Sequence, residues 1–276
     1  MTSKILKTTV GIILAASSLN AADENKATDT TPPNWWQKGS YEYPETDKLL
    51  IHLEGNVGYS KKSGNEEDEN VKIGASAKIR KGHFGLSISY TKLREDRVAY
   101  DDKSTVVPTT SLRDDYQVNT ILGYDVNKDF YVNAGHENSR DITFEIYNQN
   151  TYYVGAGYRI LTLDKHKASL FAAVGTDEIS FGRYPMLPSG KTDGLYFQGD
   201  YLWIVKPGLF LSTGYKYLKA DMDYRDTSTF TAKATVAINQ YVSLVVGYLD
   251  DYIEAQETVN RHQHDKMIFT QIQFQY

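Results

Sequence analysis

The chain has 276 residues, no cysteine, 35 Asp and Glu against 30 Lys and Arg, and a formal net charge of −5. That balance excludes a disulfide framework, a thiolate metal site and a basic nucleic-acid surface. Aromatic residues are plentiful, with 22 tyrosines. Even so, mean hydropathy is −0.49, and nothing past the N-terminal segment approaches the ~18 consecutive apolar positions of a membrane-spanning helix.

The start, MTSKILKTTVGIILAASSLNA, sets Lys4 and Lys7 ahead of an apolar run from Val10 to Ala16 and then small residues up to Ala21. Charge, apolar core and small residues come in the order of a secretory signal peptide, so residues 1–21 are expected to direct export, with cleavage after Ala21. The competing reading is a short amphipathic first helix. No cysteine follows that could carry a lipid anchor. Residues 22–48 are polar and broken by Pro32, Pro33 and Pro44, with Trp35 and Trp36 as the large apolar groups. They read as an irregular periplasmic leader, either a tether or a plug.

From Leu49 the pattern changes to alternation. Leu49, Ile51, Leu53, Gly55, Val57 and Tyr59 share one face of an extended strand, and His52, Glu54, Asn56 and Ser60 the other. Val71, Ile73, Ala75, Ala77 and Ile79 then oppose Lys72, Gly74, Ser76 and Lys78. The same pattern predicts strands at 49–60, 70–80, 83–94, 115–126, 129–138, 150–161, 166–178, 194–205, 208–219, 227–238, 241–251 and 265–276. Each is close to the ~9 to 11 residues of a tilted membrane strand. Tight connections, as at Asn127-Lys128, Lys206-Pro207 and Asn239-Gln240, alternate with longer polar ones, as at 95–114 and 179–193. The expected fold class is therefore all-β: residues 49–276 form a transmembrane antiparallel β-barrel of about twelve strands, with short periplasmic turns and longer extracellular loops.

Alternation alone leaves open which face meets lipid. A Gly-Tyr doublet recurs at Gly58-Tyr59, Gly123-Tyr124, Gly157-Tyr158, Gly214-Tyr215 and Gly247-Tyr248, with each tyrosine on the apolar face near a strand end. By strand direction Tyr59, Tyr215 and Tyr248 belong to an outer interfacial girdle, and Tyr124, Tyr158 and Trp203 to an inner one. A barrel of about twelve strands also encloses more space than side chains fill, which suits a wet polar interior. Both points turn the apolar face outward. A secreted soluble β-barrel is the rival reading. The last segment, IFTQIQFQY, carries the alternation to the final residue. It is expected to pair with the first strand, so that no edge is left open in lipid.

The string GYSKKSGN at Gly58–Asn65, followed by IGASAKIRKGHFGLSISYTKLRED, YQVNTILGYDVNKDFYVNAGHE and YYVGAGYRIL, resembles the family described as salt-induced outer membrane proteins, a group otherwise of unknown function. The similarity runs from about Leu53 to Tyr276. The chain departs from the pattern after SGN, where Glu66, Glu67, Asp68 and Glu69 replace small hydroxyl residues. The resemblance implies a barrel in the bacterial outer membrane and supplies no catalytic residues. The terminal strand also resembles the C-terminal signal read by the barrel assembly machinery, which implies recognition of Ile272, Phe274 and Tyr276.

The face opposite the lipid stripe carries Glu54, Lys72, Lys78, Asp125, Arg159, Asp200, Lys216 and Lys233, with Gln117, Asn119 and Gln198. Charges of both signs suit a water-filled or salt-bridged lumen. The expected function is a small passive pore for solutes or ions, or an envelope structural protein, lying among outer-membrane lipid and lipopolysaccharide without a cofactor. The rival from another class is an outer-membrane enzyme of lipase or protease type, for which His52 beside Glu54 is the candidate base. His262 and His264 near Asp250, Asp251 and Glu254, and the run Glu66–Glu69, read as solvated loop rather than metal sites.

Overall fold

The computed structural model describes residues 47–63, 68–95, 99–100, 106–107, 113–141, 146–181, 190–220, 226–253 and 263–276. The expected signal peptide, nearly all of the leader, the acidic pair Glu66-Glu67 and His262 lie outside them. Twelve long strands make the barrel: β1 (Leu50–Ser63), β2 (Asp68–Lys81), β3 (Phe84–Glu95), β6 (Arg113–Asp125), β7 (Phe130–Asp141), β8 (Ile146–Thr162), β9 (His166–Phe181), β10 (Gly190–Lys206), β11 (Leu209–Ala220), β12 (Thr227–Ala237), β13 (Val242–Ile253) and β14 (Gln263–Gln275). Two short strands, β4 (Ala99–Tyr100) and β5 (Val106–Val107), pair with each other outside it.

Each long strand pairs antiparallel with its sequence neighbours, and β14 closes on β1. The seam runs from Glu54↔Gln275 to Ser63↔Lys266. It ends in a reciprocal pair, Leu53 N–H to Tyr276 C=O at 2.8 Å and Tyr276 N–H to Leu53 C=O at 2.9 Å. The final residue of the chain is thus held in the ladder, and every sheet edge in the barrel is paired.

All twelve predicted segments are present, and most run further than expected. β8 and β10 have 17 residues each and β9 has 16. Their extra length lies toward the long-loop end, where strands continue to pair through polar residues such as Asn148, Gln149 and Lys191. Alternation of apolar residues stops there while backbone pairing does not, because polar side chains carry a ladder equally well outside the apolar zone.

The short turns follow from their residues. Asn127 Oδ1 accepts the N–H groups of Asp129 and Phe130, both at 2.8 Å. Asn239 Oδ1 does the same for Tyr241 at 2.8 Å and Val242 at 2.9 Å. In both, the asparagine side chain substitutes for a backbone acceptor. The turns after Lys81 and Pro207 instead use Gly82 and Gly208 at φ +53° and +78°, where an L side chain would be strained.

The facing is inverted relative to a soluble domain. Outward residues are apolar and exposed, as with Ile73 at 53%, Leu122 at 54% and Val174 at 59%, whereas His52 at 0%, Arg159 at 2% and Ser243 at 1% are buried inside. An exposed apolar surface of this extent is stable only against lipid. Tyr59, Tyr124, Tyr158, Trp203 and Tyr215 lie on the outward face, between 39% and 49% exposed. Tyr248 shares that face and donates its hydroxyl to Asp250 at 2.7 Å.

Candidate functional site: the barrel lumen

The interior is divided into two unlike halves. One half holds a cavity of about 450 Å³ whose lining includes Glu54, Lys78, Asp200, Lys216 and Lys233, with Thr229, Thr231, Thr235, Gln198 and Gln273 between them. These residues come from β1, β2 and β10–β14, brought together because every second side chain of those strands points inward. Five of the eight charged residues expected in the lumen share this one cavity. Gln198 Nε2 donates to Asp200 at 2.7 Å. Ser243 and Gln275 belong to the lining, but Ser243 Oγ and Gln275 Oε1 are themselves buried and without a hydrogen-bond partner.

The other three expected lumen charges are placed differently. Asp125 is bound by both Arg80 and Arg159 at the short-turn end. Arg159 also donates to the backbone oxygen of Lys128 at 3.1 Å and stands 4.9 Å from the Tyr131 ring. This buried cluster clamps the 126–129 turn, so Asp125 and Arg159 hold the barrel rim instead of lining the open space. Lys72 stands apart from the cavity lining, its Nζ 5.1 Å from the centre of the Phe269 ring.

The second half, formed by β7–β11, is filled. Tyr131 stacks on Phe171 at 6.2 Å, Phe171 meets the edge of Tyr153 at 6.0 Å, and Tyr153 packs on Tyr196 at 5.3 Å. Ala173 and Leu218 complete this cluster. Leu202, Ile204 and Phe210 form a separate apolar cluster near the short-turn end. The rings lie against inward glycines. A Cβ on Gly157 would stand 2.0 Å from the Tyr131 ring, one on Gly135 2.1 Å from Tyr153, and one on Gly247 2.2 Å from Phe269. Two of the doublet glycines, Gly157 and Gly247, thus make room for rings on the lumen side while their tyrosines face outward.

Across this filled half runs an ion pair that the sequence pattern did not single out. Lys216 Nζ on β11 lies 2.9 Å from Glu137 Oε2 on β7, and Gln117 Nε2 on β6 donates to Glu137 Oε1 at 2.6 Å. Three strands, β8–β10, separate β7 from β11 around the wall, so the pair is a chord through the interior. Asp177, toward the long-loop end of β9, is also buried, accepting from Thr151 Oγ1 at 2.8 Å and Gln149 Nε2 at 3.0 Å. Glu137 shares inward parity with Tyr131, Asn133 and Gly135, and that was the available signal. Its partner, 79 residues away, could be found only once the sheet had closed.

His52 is fully buried inside, with Nε2 3.8 Å from Glu54 Oε2. His264 Nε2 lies 2.6 Å from Asp250 Oδ1. Among the described residues, no group of three or more His, Asp or Glu is arranged to hold a metal ion. Ile272, Phe274 and Tyr276 project outward from β14, with Phe274 51% and Tyr276 86% exposed.

No curated protein matches the chain. Among solved structures, the NanC porin is 10% identical, with a TM-score of 0.54 over 80% of this chain and 98% of that one. An outer membrane channel from Pseudomonas putida F1 is 12% identical, with a TM-score of 0.49 over 86% and 98% of the two chains. The KdgM porin in complex with disordered oligogalacturonate is 11% identical, with a TM-score of 0.47 over 80% and 98%. At 10% identity the likeness to the NanC porin is one of fold alone, a closed all-β barrel. The model of the family described as "Protein of unknown function, DUF481" matches residues 55–276, and the chain belongs to that family.

Proposed function

We propose that the protein is a passive outer-membrane pore for small hydrophilic solutes. The observation that carries this reading is the cavity of about 450 Å³ inside the barrel, lined by three lysines, two carboxylates and hydroxyl and amide groups. A barrel serving only as an envelope strut has no need for an open interior space lined by charged groups, whose desolvation costs free energy. Water and polar solutes offset that cost. Glu54, Lys78, Asp200, Lys216 and Lys233 are the cavity-lining charges of this reading, and Lys72 a further lumen charge outside that cavity. Arg159 and Asp125 hold the rim.

Tyr59, Tyr215 and Tyr248 form the outer girdle, at the level of lipopolysaccharide, and Tyr124, Tyr158 and Trp203 the inner one. Ile272, Phe274 and Tyr276 are the segment read by the barrel assembly machinery, which their outward, exposed placement on the closing strand supports. The signal at residues 1–21 directs export, and 22–48 is the periplasmic leader. The salt-induced character of the resembling family extends to this chain in the same proposal, and barrel levels that stay flat as external NaCl rises would remove it.

The test is liposome swelling with purified barrel and a graded series of neutral sugars. Swelling that falls with solute mass supports the pore. Liposomes that stay tight with every sugar while the protein runs as a folded, heat-modifiable barrel would reduce it to an envelope structural protein or an enzyme. Phospholipid or peptide hydrolysis lost in His52→Ala would then select the enzyme.

A further inference from the structure

Resting on the pore reading, we infer that the Glu137–Lys216 pair is the constriction of the lumen and that Lys72, facing it, biases passage toward small anions. Glu137, Lys216 and Lys72 each stand four positions inside the long-loop end of their strands, so the three approach the interior at one height. The Glu137–Lys216 chord, 2.9 Å between charged atoms, cuts off the half already filled by Tyr153 and Tyr196. Lys216 lies 5.8 Å from the Tyr196 ring and Gln117 fixes the second carboxylate oxygen, so neither end of the chord swings free. The passage is confined to the opposite side, under Lys72 and Phe269.

Charge at this height is unequal. Glu137 is neutralised by Lys216. Lys72 has a ring beneath it, and the charged group that acts on it among the described residues is another cation, Lys233. Asp177, four positions inside the long-loop end of β9, is held by Thr151 and Gln149 in the filled half behind the chord, so the open side of the narrowest section carries about one net positive charge. In a section of low dielectric and few waters, one uncompensated charge is enough to bias permeation. The wider cavity toward the short-turn end is balanced, with Lys78 and Lys233 against Glu54 and Asp200, so the bias arises at the constriction.

Because the chain has no cysteine, Glu137→Cys/Lys216→Cys introduces the only two thiols, and a short bifunctional thiol reagent reports whether they face each other. The expected result in the folded barrel is an intramolecular cross-link by intact mass. Glu137→Cys/Tyr215→Cys, whose second thiol points to lipid, should give none. Absence of the first cross-link, or equal yield in both, overturns the chord.

In planar bilayers Glu137→Gln and Lys216→Gln should each enlarge the conductance step at least twofold. The swap Glu137→Lys/Lys216→Glu should restore the small step and show that the single variants had not simply misfolded. Lys72→Gln should move the reversal potential in a KCl gradient from the anion side to near zero, and Lys216→Gln, which frees Glu137, should move it to the cation side. Wild-type channels whose step and reversal potential survive all of these changes would overturn the constriction while leaving the pore standing. A cross-linking barrel that is silent as wild type and in every variant would refute the pore together with the constriction.

Discussion

Gly247→Ala is expected to destabilise the barrel although it adds one methyl group to a strand. Gly247 pairs with Phe269 across β13–β14, and a Cβ at 247 would lie 2.2, 2.6 and 2.7 Å from three atoms of that ring. Carbon atoms are at ease near ~3.5 to 4.0 Å, so the ring has to lift by roughly 1.5 Å. Phe269 is 4% exposed and carries Lys72 over its face, so lifting it breaks the packing on both sides. The cost should be that of overpacking, ~1 to 3 kcal/mol. Gly55→Ala is the control, because a Cβ there meets nothing within 4 Å. It should be neutral or stabilise by ~0.4 to 1 kcal/mol through lost freedom of the unfolded chain. Combined with Phe269→Ala, Gly247→Ala should cost less than it does alone, since the two share one contact. The assay is a urea titration of the barrel in lipid vesicles, read as the heat-resistant folded band. Equal midpoints for the two alanine variants, or a lower one for Gly55→Ala, would refute the ring-on-glycine packing.

Leu244 lies on the outward face of β13, so Leu244→Arg should cost ~2 to 4 kcal/mol in the same titration. Thr231→Arg, which points into the cavity, should cost much less, and the reverse order would invert the facing. Ser243 is the poorer comparison, as its side chain is almost wholly buried. Asp125→Ala leaves Arg80 and Arg159 facing each other without their shared carboxylate and should destabilise by ~3 to 5 kcal/mol; a loss under ~1 kcal/mol would show the rim cluster to be solvated. Deleting Phe274 to Tyr276 removes the last pairs of the seam and should sharply lower folded barrel in cells, whereas unchanged levels would deny these residues a part in assembly.

Strand number, facing and closure were legible because they depend on period two, and alternation survives in a single sequence as long as one face meets lipid and the other water. It failed at the long-loop ends, where both faces are polar and Asn148, Gln149 and Lys191 pair without alternating. The candidate site was legible only by parity. Glu54, Lys78, Asp200, Lys216 and Lys233 could be placed inward one strand at a time, but the cavity they share depends on the curvature of the closed sheet. Tyr131, Tyr153, Phe171 and Tyr196 were hidden for a different reason. Inward aromatic residues break the expectation of a polar lumen, and only the missing side chains of Gly135 and Gly157 make room for the rings of Tyr153 and Tyr131. The adjacent pair Tyr152-Tyr153 carried a hint, since two neighbours in a strand must face opposite sides.

Single-channel recording of the purified wild-type barrel in a planar bilayer tests the central claim most directly. An open, charge-lined lumen predicts discrete, reproducible steps of small conductance with a weak preference for anions, because Lys78 and Lys233 are offset by Glu54 and Asp200 within about a Debye length, ~8 to 10 Å. A bilayer that stays silent with verified folded barrel inserted, and remains silent after residues 22–48 are removed, would contradict the account.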